Sequence, residues 1–207
     1  MPQQTLKPVN RSKNREEIVR LAAHIKIFSA YLHSLTAGLS PHNNERVELF
    51  FAGCRMAREG NPCKGCFNKD LWYDDYCHIQ TAEDIVSYIK KMTINKYITI
   101  VGGEPLDQEQ GLIELLQLLT KEDFHIVLIT HYTIDKINPD VLKYPDIIID
   151  GKYDFTKRIF ETDTRPGVHH VIGSSNQKIW YRNNNHYIDI TNKEDLTEYY
   201  FKKGGMQ

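Results

Sequence analysis

Along the middle of the chain, short apolar runs alternate with longer stretches whose apolar residues fall on one face. Residues 97–101 read as a buried strand that ends in Gly102-Gly103-Glu104-Pro105. Leu112, Leu115, Leu116 and Leu119 then recur at the i, i+3, i+4 and i+7 spacing of one helix face. Residues 125–130 read as a strand, 140–143 as a helix and 147–149 as another strand. Upstream, Thr81 and Asp84 stand in a capping-box relation before the stripe Ile85, Val86 and Ile89, which predicts a helix. Residues 15–24 have the pattern of a short helix. Residues 25–32 and 47–52 read as strands joined by a Gly-, Pro- and Asn-rich loop over 36–45. Near the C-terminus, 178–181 and 186–190 flank Asn183-Asn184-Asn185, the signal of a hairpin. Strands alternating with helices predict an α/β fold with a parallel sheet and helices outside it.

Composition narrows the class. The 207 residues are one domain's worth of chain, and 41% hydrophobic residues are too many for a disordered protein. Lys and Arg number 26 against 27 Asp and Glu, so no global field draws in nucleic acid or anionic lipid. The most apolar long stretch, 112–130, contains Glu114, Lys121, Glu122 and Asp123, which argues against a membrane helix. No apolar signal-peptide core opens the chain. Lys7, Arg11, Lys13 and Arg15 precede the first acid, but Pro2 and Pro8 would break an early amphipathic helix, so a solvated lead-in is expected rather than a transit peptide. A soluble cytoplasmic protein is the expectation.

The candidate chemistry lies in four cysteines. Cys54, Cys63, Cys66 and Cys77 fall within 24 consecutive residues, and the other 183 residues have none. Clustering of this kind reads as metal or redox chemistry. Two cysteines separated by two residues can turn both sulfurs toward one metal or cluster. A zinc site using all four cysteines and a 4Fe–4S cluster held by three both remain open at this point; free thiols account poorly for the clustering. Gly102 and Gly103, at the carboxyl end of a predicted parallel strand, either present peptide groups to a ligand or form an ordinary strand-to-helix turn. Cys77 is either a fourth ligand or a partly buried thiol. His169 and His170, if in a strand, point to opposite faces and favour packing over metal binding. Asp150 is expected to cap the Gly151 turn, and Arg55, Arg58 and Lys64 to add positive charge around the cysteine loop.

Taken together these segments resemble the radical S-adenosylmethionine superfamily, and within it the anaerobic ribonucleoside-triphosphate reductase activating proteins. Residues 47–54, Val-Glu-Leu-Phe-Phe-Ala-Gly-Cys, resemble a first core strand running into the first cluster cysteine. Pro62-Cys63-Lys64-Gly65-Cys66-Phe67-Asn68 resembles the second half of the cluster motif, and Gly102-Gly103-Glu104-Pro105-Leu106 the superfamily's Gly-Gly-Glu strand end. Thr130-His131-Tyr132 falls where the family has Thr-Gly-Tyr, and Asp150-Gly151-Lys152-Tyr153 matches an Asp-Gly-Lys-aromatic segment. The string Gly173-Ser174-Ser175-Asn176-Gln177 is the match most restricted to the activating proteins; it argues against another small radical enzyme of this type, such as a 7-carboxy-7-deazaguanine synthase. Two departures stand out. Eight residues rather than three separate Cys54 from Cys63, and the chain is longer than compact members through its first 33 residues and the tail after Arg182.

The resemblance implies an incomplete parallel β/α barrel over 25–190 with a C-terminal hairpin, an N-terminal extension over 1–24 and a tail over 191–207. It implies a 4Fe–4S cluster on Cys54, Cys63 and Cys66, with the fourth iron left to chelate S-adenosylmethionine. Gly102, Gly103 and Glu104 would hold the methionyl end, with Gly65 and Phe67 packing near the cofactor and Thr130 and His131 on the ribose side. Reductive cleavage would yield a 5′-deoxyadenosyl radical that takes hydrogen from a glycine α-carbon of an anaerobic ribonucleotide reductase. Flavodoxin or ferredoxin is the expected electron donor, and no direct nucleic-acid or membrane contact is expected.

Overall fold

A computed structural model describes residues 24–33, 46–160, 162–163, 169–194, 196 and 199. The expected loop over 36–45, the residues after 199 and, apart from His24, the expected helix over 15–24 lie outside the described residues. Eight strands form one sheet: β1 (Ile25–His33), β2 (Arg46–Phe51), β3 (His78–Gln80), β4 (Tyr97–Gly102), β5 (His125–Ile129), β6 (Ile147–Asp150), β7 (Lys178–Asn183) and β8 (His186–Asp189). Their order is β3-β1-β2-β4-β5-β6-β7-β8. The four central strands, β2, β4, β5 and β6, are parallel, while β1 and β3 on one flank and β7 and β8 on the other run antiparallel to their neighbours. The architecture is a mixed α/β sheet. Among the described residues no helix is long and apolar enough to cross a membrane.

Side-chain alternation explains how both faces are used. Leu49, Ile100, Leu128 and Ile148 are partners in register across the four parallel strands and sit in one buried cluster. The helices α2 (Ala82–Met92) and α3 (Glu109–Lys121) cover that cluster with Ile85, Val86, Ile89, Leu112, Leu115, Leu116 and Leu119. Each such side chain is worth about 1.5–3 kcal/mol when buried. The expected capping box is present, with Asp84 N–H donating to Thr81 Oγ1 over 3.1 Å. The intervening residues Val127, Ile147 and Ile149 point the other way, where they pack with Ile172, Ile179 and Tyr181. Burial on both faces is why β5 and β6 read as continuous apolar runs rather than alternating ones.

The amino-terminal end of this second face is polar. Arg46, the first residue of β2, is fully buried. Its Nε donates to Thr99 Oγ1 at 3.0 Å, one terminal nitrogen donates to the carbonyls of Ile98 (2.6 Å) and His125 (3.1 Å), and the other lies 3.2 Å from His125 Nδ1. Burial lowers the guanidinium's pKa to about 9, against the upward pull of Asp146, Tyr97 and Glu48, so it stays charged at neutral pH. A single side chain thus joins the starts of β2, β4 and β5.

Two local expectations are corrected. Residues 140–143 form turns rather than a helix: Asn138 Oδ1 accepts from Asp140 N–H at 2.9 Å, and Pro145 prevents the segment from growing into a helix. His169 and His170 lie in a loop and turn, not a strand. Cys77 immediately precedes the short strand β3.

Replacing Arg46 by Ala should remove about 3–5 kcal/mol of stability, because it strands buried acceptors and acidic neighbours without their cation. Equilibrium denaturation measures this, and a loss below about 1 kcal/mol would show that Arg46 does not tie the strands together.

Candidate functional site

The carboxyl ends of β2, β4, β5 and β6 open into one cavity. It is lined by Cys54, Cys63, Cys66, Phe67, Gly102, Gly103, Glu104, Thr130 and His131, all singled out in the sequence. Gly65 is not in the lining. It has φ +74°, and a Cβ there would lie 2.8 Å from Cβ of Phe155, so glycine lets Phe155 pack against the cysteine loop. Cys77 lies outside the cavity lining, and its backbone N–H donates to Asp74.

Backbone contact positions Cys54. Gly103 N–H donates to Phe51 O and Glu104 N–H donates to Gly53 O, each at 2.8 Å. A Cβ on Gly103 would fall 2.1 Å from Gly53 O, and one on Gly102 2.3 Å from Phe51 O, so only glycine permits this approach. The second half of the cysteine loop is fastened to the same place. Gly53 N–H donates to Leu71 O, Cys54 N–H to Trp72 O, and Asn68 Nδ2 to Gly102 O at 3.1 Å. The two glycines therefore serve the chain's own packing as well as any ligand. The eight residues between Cys54 and Cys63 include the one-turn helix α1 (Arg55–Arg58), whose charges are largely engaged: Arg55 donates to Tyr132 Oη at 2.7 Å, and Arg58 lies 4.0 Å from Asp74.

Glu104 is 1% exposed and its carboxylate is saturated by donors from its own chain. Oε1 accepts from Leu106 N–H (3.0 Å) and Thr130 Oγ1 (2.7 Å); Oε2 accepts from His131 N–H (3.0 Å) and His131 Nδ1 (2.6 Å). Glu104 thus clamps the loop after β5 onto the loop after β4. His131 also hydrogen-bonds Cys54. Burial alone would push its imidazole down, but the bonds to Cys54 and Glu104 and the Glu104 charge outweigh that and raise it to about 9. Desolvation, with Cys66 and Cys54 close by, pushes the Cys63 thiol up to about 11. Asp150 accepts from Ile134 N–H at 2.7 Å, which gives it a structural task beside the Gly151 turn.

The lining also includes residues passed over as site candidates: Asn68, Trp72, Val101, Ile129, Ile149, Tyr153 and Gln177. Asn68, Tyr153 and Gln177 stood within segments noted in the sequence. Val101, Ile129 and Ile149 carried only the signal of buried strands.

Among the described residues no three Cys, His, Asp or Glu side chains converge on a point that would hold a single metal ion, whereas three thiols spread around one cavity suit an iron–sulfur cluster, in which each thiolate ligates a separate iron. Residues 44–180 match the family model described as a 4Fe–4S single cluster domain. The chain is 32% identical over 146 residues to the anaerobic ribonucleoside-triphosphate reductase-activating protein of Enterobacteria phage T4, spanning 65% of this chain and 83% of that one. It is 31% identical over 123 residues to the protein of the same name from Haemophilus influenzae, spanning 52% and 74%. A pyruvate formate-lyase-activating enzyme of Clostridium pasteurianum is 28% identical over 126 residues, spanning 57% of this chain and half of that one. The chain belongs to the 4Fe–4S single cluster family, in the branch of the anaerobic ribonucleoside-triphosphate reductase-activating proteins.

Two outcomes follow from this geometry. Gly103→Ala should lower the melting temperature and the iron bound after reconstitution, since Gly53 and Cys54 must move aside; unchanged values for both would contradict the backbone account. In the metal-free protein, Cys63 should alkylate slowly near neutral pH and faster up to about pH 11, because only the thiolate reacts. A rate at Cys63 that levels off by pH 9, followed by peptide mass spectrometry, would contradict its burial.

Proposed function

We propose that this chain is the activating enzyme of an anaerobic ribonucleotide reductase and installs a glycyl radical on it. One observation carries the reading: Cys54, Cys63 and Cys66 share a cavity with the Gly-Gly-Glu turn, in a chain of the activating-protein branch. The three cysteines would hold three irons of a 4Fe–4S cluster, leaving one iron for S-adenosylmethionine. When bound, the pair would supply one-electron reductive cleavage of the sulfonium C–S bond, the electron coming from an external donor, and with it the hydrogen-abstracting chemistry that a glycine α-carbon requires.

The protein's own part is binding and orientation. Gly102, Gly103 and Glu104 would receive the methionyl end, Phe67 would bound the cofactor while Gly65, outside the lining, seats Phe155 behind the cysteine loop, and Thr130 and His131 would face the ribose. Glu104 supports this assignment through its charge and fixed orientation, although a ligand ammonium must share it with His131. The sheet with its cavity at the carboxyl ends fits the partial β/α barrel of radical S-adenosylmethionine enzymes, with β7 and β8 as its C-terminal hairpin. Domain limits of 25–190, a cytoplasmic setting and a flavodoxin or ferredoxin donor complete the proposal.

Anaerobic reconstitution of single variants tests the ligand set. Cys54→Ala, Cys63→Ala and Cys66→Ala should each lose most bound iron and all 5′-deoxyadenosine formation, while Cys77→Ala keeps both. An active, iron-replete Cys54→Ala protein would transfer its place to Cys77. One zinc per chain without iron would remove the enzyme reading altogether.

A further inference from the structure

Residues 152–160 cover the outer side of the cysteine loop, and their backbone is tightly held. Phe155 N–H donates to Lys64 O at 3.0 Å, and Lys64 and Asp154 form a short parallel bridge. Behind this cover stands the Gly-Ser-Ser-Asn-Gln string. Ser175 N–H donates to Lys157 O (2.9 Å), Ile159 N–H to Gly173 O (3.2 Å), Asn176 Nδ2 to Lys152 O (2.7 Å), and Gln177 Nε2 to Gly151 O (3.2 Å). Ser174 Oγ accepts from Asp154 N–H at 3.2 Å. A Cβ on Gly173 would come within 2.9 Å of the Tyr153 ring, so the string also seats that ring, which lies 4.6 Å from Phe67.

This fixed backbone displays apolar side chains to solvent. Phe67, Phe155 and Phe160 are 66%, 54% and 61% exposed, each leaving an aromatic ring in water that burial would stabilise. Cations stand among them. The Arg158 guanidinium is 5.8 Å from the Phe67 ring centroid and 5.6 Å from that of Phe160, and Lys64 is 5.9 Å from that of Phe155. Lys64, Lys152, Lys157 and Arg158 outnumber the acids described around this patch: Asp154, whose carboxylate caps Thr156 and lies 4.0 Å from Lys64, and Asp163, whose backbone N–H donates to Phe160 O. Exposed aromatic rings grouped around an arginine, with lysines at the margin, form a rim beside the cavity and have the composition of an interaction surface with a polar edge.

We propose that this rim docks the partner reductase around its radical-accepting glycine, on a surface that is acidic and presents apolar side chains. The inference rests on the function proposed above. A hydrogen can be abstracted only by contact, so the glycine must reach the cavity, and Phe67 and Tyr153 line the cavity and border the rim at once. The net positive charge of the rim selects the sign of the partner's surface. The Gly-Ser-Ser-Asn-Gln string acts as the brace that keeps the rim in register with the cysteine loop.

The test uses the reconstituted full-length protein and the anaerobic ribonucleotide reductase encoded in the same genome. Lys157→Glu combined with Phe160→Asp should weaken binding about tenfold or more and reduce the glycyl-radical signal. Iron content and reductase-independent 5′-deoxyadenosine formation should stay at wild-type levels. Lys136→Glu, away from the rim, should leave binding unchanged, and wild-type affinity should fall as salt rises. Wild-type binding by the double variant, or an affinity indifferent to salt, would overturn the proposal, as would a wild-type protein that does not bind the reductase. Rim-dependent binding without a glycyl radical would uphold the docking surface and refute the assigned reaction instead.

Discussion

The site depends on how closely two backbone segments approach. Gly53 O and Glu104 N–H meet at 2.8 Å, and Gly103 lies so near that a methyl group in place of its hydrogen would overlap the carbonyl. This contact sets the end of β4 against the end of β2 just where the chain turns into Cys54. Asn68 and the carbonyls of Leu71 and Trp72 then fasten the remainder of the cysteine loop to the same two strand ends. A cluster needs thiolates that hold their places as its charge changes. Backbone hydrogen bonds between rigid strand ends provide that more firmly than a free loop.

Polar groups at the two ends of the sheet do different work. At the amino-terminal end, Arg46 is surrounded by fixed acceptors and pins three strand starts. At the carboxyl end, Glu104 joins two loops while standing in the wall of an open cavity. The apolar middle of β5 and β6 separates the two, so the buried charges at one end are distant from the chemistry at the other.

Much of this was legible because it follows from periodicity or from local chemistry. The leucines of α3 and the Thr81–Asp84 box gave their helices directly, and the clustered cysteines with Gly102-Gly103-Glu104 led to the cavity. Other features were hidden because they depend on distant residues. Nothing near Arg46 in the chain shows that Thr99 and His125 will enclose it, and nothing near Gly65 shows that Phe155 will lie upon it. The turn at 140–143 resembles a helix in sequence because a single helical turn has no periodicity to separate it from an Asn-Pro turn. Gly173 through Gln177 stood out as a string, but its bracing of residues 151–159 emerges only when the two segments are side by side.

The central claim is that Cys54, Cys63 and Cys66 hold a cluster with one iron left open to S-adenosylmethionine. Mössbauer spectroscopy of protein reconstituted with iron-57, recorded before and after S-adenosylmethionine is added, tests it most directly. The account predicts a four-iron cluster in which roughly a quarter of the absorption, one iron, shifts on addition of S-adenosylmethionine while the rest stays in place. A spectrum that does not respond to S-adenosylmethionine would contradict it.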